Sequence, residues 1–384
     1  MTTVYVPIAE ARTIARTALQ AVGFGHAASD ATTEALILAD RDGIGSHGLA
    51  RLPFYLAQAR SGKVRAEAVP RVEQRGAVVR VDAGCGLAFP AVHLGLEAAA
   101  PIAAELGIVA VSIAHSHHFG VAGHPVEKLA RAGLIGLAFS NTPAALPPWG
   151  GKRALYGTNP IAFSAPGGPA EPIVIDLSLS KGARGKVMLK AKAGEPIPEG
   201  WAIDRDGKPT TDAETALKGA MMPAGDAKGA ALALMVELLT AGLTGSQFGH
   251  QASSLFDANG PPPDLGQLII VLAPNKFAEG FEERVTGLAA AILEQDGARL
   301  PGLRRIEAGQ EHNDHSARSR AARRAFRSGH AKCQDMSFRI QTQEDDNDDK
   351  TAFARPSQNR QRRGRGGRGT EVGYRNAVCL HRGQ

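Results

Sequence analysis

Two short stretches of the chain carry side chains able to hold an acid and move a proton: Ser46-His47-Gly48 with Arg51, and His117-His118-Phe119-Gly120. A guanidinium is planar, permanently charged and forked, so Arg51 can hold a substrate carboxylate through two parallel hydrogen bonds. An imidazole titrates near neutrality and can give or take a proton beside it. A helix ending at Gly43 would leave Ser46, His47 and Arg51 on the next turn and first helical residues, with His47 and Arg51 four apart on one face. The competing reading makes Ser46 the N-cap of a helix over 49–59, with His47 and Arg51 on its solvent side. His115, His117 and His118 also crowd one loop, as zinc ligands can. No third acid or thiol follows at a familiar spacing, so no metal is expected and His115 is read as incidental.

A scan for phosphate-binding loops finds nothing. The nearest approach to G-x-G-x-x-G is Gly84-Cys85-Gly86, which lacks the third glycine, and Gly182 and Gly185-Lys186 are wrongly spaced for a P-loop. A longer ordered series is more telling: Ser46-His47-Gly48 with Arg51, His118-Phe119-Gly120, Pro148-Trp149-Gly150-Gly151, Gly157-Thr158-Asn159-Pro160, Asp176, Gly185-Lys186, Pro198-Glu199-Gly200-Trp201 and Lys228-Gly229. This series, over roughly residues 4–302, resembles the malate/L-lactate dehydrogenase family, which is separate from the Rossmann-type lactate and malate dehydrogenases.

The resemblance implies an α/β fold with a mixed sheet flanked by helices, a non-Rossmann site for NAD or NADP, and a homodimer. It implies hydride transfer between nicotinamide and the carbon beside the carboxylate of a small acid, with proton delivery to the carbonyl oxygen or imine nitrogen. Family members act on 2-oxo and 2-hydroxy acids such as malate, lactate and sulfolactate, or reduce cyclic 2-imino acids. Carried over residue by residue, Ser46 and His47 match the proton-relay pair, Arg51 the carboxylate anchor and Thr158 a substrate contact. Thr158 has an equal claim to satisfying backbone within the 157–160 turn. His118 also has a claim as the acid. His118, Phe119, Gly120, Asp176, Leu177, Ser178, Lys228 and Gly229 match cofactor contacts, with Asp176 and Ser178 suited to ribose hydroxyls and Lys228 to phosphate. Lys186 falls at a catalytic position where the imine-reducing branch is expected to carry an acid, so lysine tilts the reading towards 2-oxo acids.

The elements that must position these groups read as alternating helix and strand periodicities. Helices are expected over 8–22 (stopped by Gly23), 31–39 (capped by Ser29), 87–106, 125–132 and 229–243, and strands over 77–81, 108–113, 134–139, 173–177 and 268–272; residues 277–295 close the readable part. The His117–Gly120 turn directly follows a strand, where open α/β sheets place ligand loops. The organised region is expected to be 1–303. From Arg304 onwards there are 16 Arg and 2 Lys against 10 acids, and only 8 Ile, Val, Leu and Phe in 81 residues, too few for a core. The earlier part holds 26 basic and 28 acidic residues, so the basic excess belongs to this tail. The break in family pattern after Leu303 is read as a reading-frame change. The tail's Arg362–Arg368 cluster lacks interleaved aromatics, so it is not read as a nucleic-acid binder. An inactive relative with a polyanion-binding tail is the reading from another class. No apolar run approaches the roughly 20 residues of a membrane span, no signal peptide is evident and three cysteines form no framework, so the expected location is the cytoplasm.

Overall fold

A computed structural model describes residues 3–167, 171–303 and 305, together with two short strands, Phe338–Ile340 and Val378–Arg382. In chain order the first half runs β1 (Thr3–Val6), α1 (Ile8–Ala21), α2 (His26–Arg41), α3 (Leu52–Arg60), β2 (Arg71–Arg75), β3 (Val78–Asp82), α4 (Ala88–Leu106) and β4 (Ile108–Ser116). It continues with α5 (Gly123–Arg131), β5 (Ile135–Ser140), β6 (Ile161–Ala165), β7 (Ile173–Leu177), α6 (Arg184–Ala193), β8 (Ala202–Ile203), β9 (Pro209–Thr210) and α7 (Ala213–Lys218). The last elements of the body are β10 (Ala220–Met221), α8 (Ala227–Glu237), β11 (Leu265–Leu272) and α9 (Phe281–Leu293).

Seven strands form one sheet in the order β2-β3-β4-β11-β5-β6-β7. Its single parallel pair is β3–β4, joined through α4, and every other pairing is antiparallel. The sheet is therefore mixed and flanked by helices. The apolar run of β11 explains how the layers pack, because successive side chains point to opposite faces. Ile269 and Val271 face a core built with α4 and α5, whereas Leu268 and Ile270 face a second core containing α6, α8 and the small β8–β10 sheet. A strand covered on both faces has no polar alternation to show. A third core joins α1, α2 and α3 through Leu19, Leu36, Leu52 and Tyr55.

Three local readings of the sequence change. Helix α2 starts at His26 behind Gly25, so Ser29 is a buried helical residue whose hydroxyl donates to the Phe24 carbonyl at 3.4 Å rather than an N-cap. The expected 49–59 helix is a 3-10 turn, Leu49–Arg51, followed by α3. Helix α8 stops at Glu237 and passes into a wider turn over Leu238–Gly242. The tail beyond residue 305 lies outside the described residues apart from its two short strands. Arg305 itself is held by Asp42 at 2.6 Å and by Glu127, so packed structure reaches at least that far.

Candidate active site

After α2, Gly43 adopts φ 75° and the chain makes two 3-10 turns, Gly45–His47 and Leu49–Arg51, separated by Gly48. The break has a steric cause: a Cβ on Gly48 would stand 1.8 Å from Asp40 Oδ1. Asp40 uses its other oxygen to accept the Leu49 N–H at 2.8 Å. Asp40, not Ser46, thus caps the second turn, and His47 and Arg51 do not share a regular helix face. Burial pushes the Asp40 carboxyl up to about 7. Ser46 is left exposed, and its Oγ pairs with His47 Nδ1 at 3.0 Å.

Arg51 is 8% exposed. Its Nε donates to the Ser46 carbonyl at 2.8 Å, and the guanidinium lies 4.6 Å from the centre of the Phe256 ring. The two terminal nitrogens have no acceptor among the described residues and are not sealed from solvent. An open fork on an otherwise buried arginine is what a carboxylate anchor requires. Burial lowers the pKa of this guanidinium, which nonetheless stays charged.

The two candidate proton donors stand together: the His47 and His118 rings stack with centroids 5.2 Å apart. His118 Nδ1 lies 2.7 Å from the Tyr55 hydroxyl. Tyr55 is 1% exposed, and burial raises its pKa, so the phenol keeps its proton. With no other acceptor for that proton among the described residues, the arrangement that strands nothing has Tyr55 donating to Nδ1, which puts the His118 proton on Nε2. Burial first, and then the positive charge of Arg51, depress His47 to about 3 and hold His118 well below its usual range. His47 keeps some accessible surface, yet densely packed protein surrounds it, as at the wall of a cleft.

The other histidines of the loop have different surroundings. His117 is buried in the core, edge-on to Tyr55, with neither ring nitrogen hydrogen-bonded. His115 pairs with Asp264 at 3.0 Å. Among the described residues no cluster of three or more His, Cys, Asp or Glu could hold a metal. Lys186 is exposed on the first turn of α6. The neighbouring Gly185 abuts the Ser46–His47 pair, since a Cβ there would lie 3.7 Å from Ser46 Cβ.

The residues matched to cofactor contacts lie along a continuous path. Gly120 takes φ 77°, and a Cβ on it would come within 2.6 Å of the Phe89 ring. Phe119 is buried beneath this turn. Three residues on, the Gly123 N–H donates to Asp176 Oδ2 at 2.7 Å, at the end of β7. Asp176, Leu177 and Ser178 are all exposed, but protein crowds the Asp176 carboxyl enough that burial raises its pKa. The Ser178 hydroxyl and Leu179 N–H both donate to the Thr158 carbonyl, at 3.4 and 2.8 Å. The Ala224 N–H then donates to the Leu179 carbonyl at 2.9 Å, leading to exposed Lys228 and buried Gly229, where a Cβ would lie 1.9 Å from the Ala224 carbonyl. A polar, glycine-lined path with an ammonium at one end and the histidine pair at the other fits a dinucleotide. The half-buried Thr158 is itself placed by its neighbours: its N–H donates to Thr142 Oγ1 at 2.9 Å. Beside it, buried Glu237 accepts from Gly157 N, Gly249 N and Asn159 Nδ2.

Sequence reasoning missed Tyr55, Asp40 and Phe256. Tyr55 carried a usable signal, four residues after Arg51 on a helix. Phe256 carried none, because a loop some two hundred residues away brings it to Arg51.

Comparison with known proteins identifies the family. Residues 6–320 match the family model for malate/L-lactate dehydrogenase. The chain is 63% identical over 300 residues to the (2R)-3-sulfolactate dehydrogenase (NADP(+)) of Chromohalobacter salexigens, covering 78% of this chain and 90% of that one. It is 41% identical over 316 residues to the Δ1-pyrroline-2-carboxylate/Δ1-piperideine-2-carboxylate reductase of Pseudomonas putida, covering 79% and 90%. Among solved structures, the Δ1-piperideine-2-carboxylate reductase of Pseudomonas syringae superposes with TM-score 0.77 at 38% identity, covering 82% of this chain and 95% of that one. The sulfolactate dehydrogenase of Methanocaldococcus jannaschii gives 0.75 at 28%, covering 81% and 92%. The chain therefore belongs to the malate/L-lactate dehydrogenase family and is an NAD(P)-dependent oxidoreductase of small acids.

Proposed function

We propose that this enzyme interconverts a small 2-hydroxy acid of the sulfolactate or malate type and its 2-oxo acid, with NADP as the cofactor. The observation that carries the reading is the open guanidinium fork of Arg51 beside the Ser46–His47 pair and the His118 ring. When bound, nicotinamide exchanges the hydride with the substrate's α carbon. Phe119, Gly120, Asp176, Leu177, Ser178, Lys228 and Gly229 would hold the cofactor along the path described, with Lys228 at a phosphate. Arg51 would hold the substrate carboxylate, and Thr158 would contact the acid. A bound carboxylate offsets the positive field of Arg51 on His47, so the imidazole gains proton affinity when substrate arrives. His47 then exchanges the proton at the substrate oxygen, with Ser46 fixing its ring, and His118 Nε2–H donates a hydrogen bond into the same space.

Two features favour a hydroxy acid over a cyclic imine. The sulfolactate relative is markedly more similar than the imine reductases. Lys186 follows Gly185, which abuts Ser46, and a lysine stands there in place of the acid expected in the imine-reducing branch. Oxidation of (2R)-3-sulfolactate, malate and lactate with NADP+ and NAD+, set against reduction of Δ1-pyrroline-2-carboxylate and Δ1-piperideine-2-carboxylate, tests the reading. The highest kcat/KM is expected for sulfolactate with NADP+; a cyclic imine preferred by about 100-fold or more would replace it with the imine branch. We also propose a cytoplasmic location and a homodimer, the dimer supported by the exposed apolar residues Leu232, Leu234, Met235 and Leu238 on and just after α8. Sedimentation and cell fractionation test both. Among the described residues no helix is long and apolar enough to cross a membrane.

A further inference from the structure

Lys63 lies twelve residues after Arg51, and its side chain has no exposed surface. Its ammonium is taken up by a single loop: it donates to the carbonyls of Ser254 at 2.6 Å, Asn259 at 2.7 Å and Asp257 at 3.2 Å, and lies 3.3 Å from Asp257 Oδ1. A buried cation needs such partners. The dependence is mutual, because the Ser254 and Asn259 carbonyls converge inward where an apolar side chain would leave them unpaired. Gln58, on α3, adds a second tie by donating to the Asp257 carbonyl at 2.9 Å. Between the pinned residues stands Phe256, packed edge-on against Phe54 of α3 with ring centres 6.0 Å apart and set against the Arg51 guanidinium. The contacts close a circuit from Arg51 through α3 to Lys63, across the loop to Phe256, and back to Arg51.

We propose that Lys63 is a positioning residue for substrate recognition, fixing the 254–259 loop so that Phe256 covers one face of the Arg51 guanidinium and leaves its fork open to the acid. This rests on Arg51 as the carboxylate anchor and goes beyond it in naming what orients that anchor. The ring keeps water from one face of the cation and fixes the plane of the fork, and an arginine stacked on an aromatic loses less freedom when it binds a carboxylate. Lys63 touches neither acid nor cofactor, so its loss should appear in the binding of the acid.

The test compares Lys63→Met, Phe256→Ala and the double variant in steady-state kinetics with sulfolactate and malate. Calorimetry of sulfopyruvate binding to the NADP+-loaded enzyme provides a second readout. Each single variant is expected to raise KM and Kd for the acid about 10-fold while kcat and the KM for NADP+ change less than about threefold. The double variant should be no worse than the weaker single, as for two residues acting through one contact. Gln58→Leu cuts only one tie to the loop and should give a smaller change in the same direction; it replaces Lys63→Met in the cycle if that variant fails to fold. Additive effects, or a loss of stability with acid binding unchanged, overturn the proposal while leaving the substrate reading intact. A wild type that binds both acids but turns over only cyclic imines overturns the substrate reading alone. A wild type that binds no acid removes the anchor and overturns both.

Discussion

Replacing Tyr55 by phenylalanine isolates one oxygen atom. The ring that packs among Phe89, His117 and His118 stays, so no cavity larger than a hydroxyl opens, and what is lost is the 2.7 Å hydrogen bond to His118 Nδ1. An acceptor stranded in a buried site costs about 1–3 kcal/mol, which sets the expected fall in unfolding free energy. The functional consequence is separate: with no donor at Nδ1, the His118 proton is no longer confined to Nε2, and an Nδ1–H tautomer turns the donor into the cleft into an acceptor. If the acid's oxygen uses that donor in the transition state, its loss lowers kcat by about 10- to 100-fold, equivalent to roughly 1.4–2.8 kcal/mol. Substrate KM should move little, because Arg51 is untouched. Nitrogen-15 NMR of the imidazoles reports the tautomer directly, and kcat is measured on the same preparations. Tyr55→Phe that retains the Nε2–H tautomer and turns over within twofold of wild type would refute the assignment of Tyr55 as the group that orients His118.

Further outcomes follow from neighbouring contacts. Gly48→Ala drives a Cβ to within 1.8 Å of Asp40 Oδ1, so the turn must shift; a stability loss of about 2–4 kcal/mol and a fall in acid binding are expected from denaturant titration and kinetics. Asp40 carries a pKa raised by burial to about 7, and the sign of the linkage is fixed by that direction. The folded state holds this proton more tightly than the unfolded chain, so the stabilisation is complete below about pH 3.8 and is lost as pH rises through about 7. Asp40→Asn should remove up to about 1.4 kcal/mol per pH unit of that decline, and a stability profile parallel to wild type between pH 4 and 7 would count against it. His47, depressed to about 3, acts in the opposite sense: its contribution is present above pH 6.5 and lost as pH falls towards 3, so His47→Gln should flatten the acid limb of the profile. Glu237→Leu removes the acceptor for Gly157 N, Gly249 N and Asn159 Nδ2, and a loss of about 3–5 kcal/mol is expected in urea unfolding.

The sequence alone made the candidate site legible. Ser46, His47 and Arg51 lie within six residues, and His118 opens a glycine turn directly after a strand, so local spacing and side-chain type were enough to single them out. The ordered glycine and proline motifs carried the family, and the two-period and helical patterns located the long strands and helices of the sheet and its covering layers. What only the tertiary structure decided were the partners. Which of His47 and His118 acts as proton donor had no answer in the chain; folding stacks the two rings 5.2 Å apart, across 70 intervening positions. The capping role passed from Ser46 to Asp40 because a side chain from the preceding helix reaches the Leu49 N–H, a contact that depends on the angle between α2 and the turn. Tyr55 and Phe256 look like ordinary core aromatics in sequence, since period and hydropathy record that a residue is buried and not which polar group it faces. Burial and charge at the histidines belong to the same class, because an imidazole's proton affinity depends on the atoms packed around it, and these come from α2, α3 and the loop after β4.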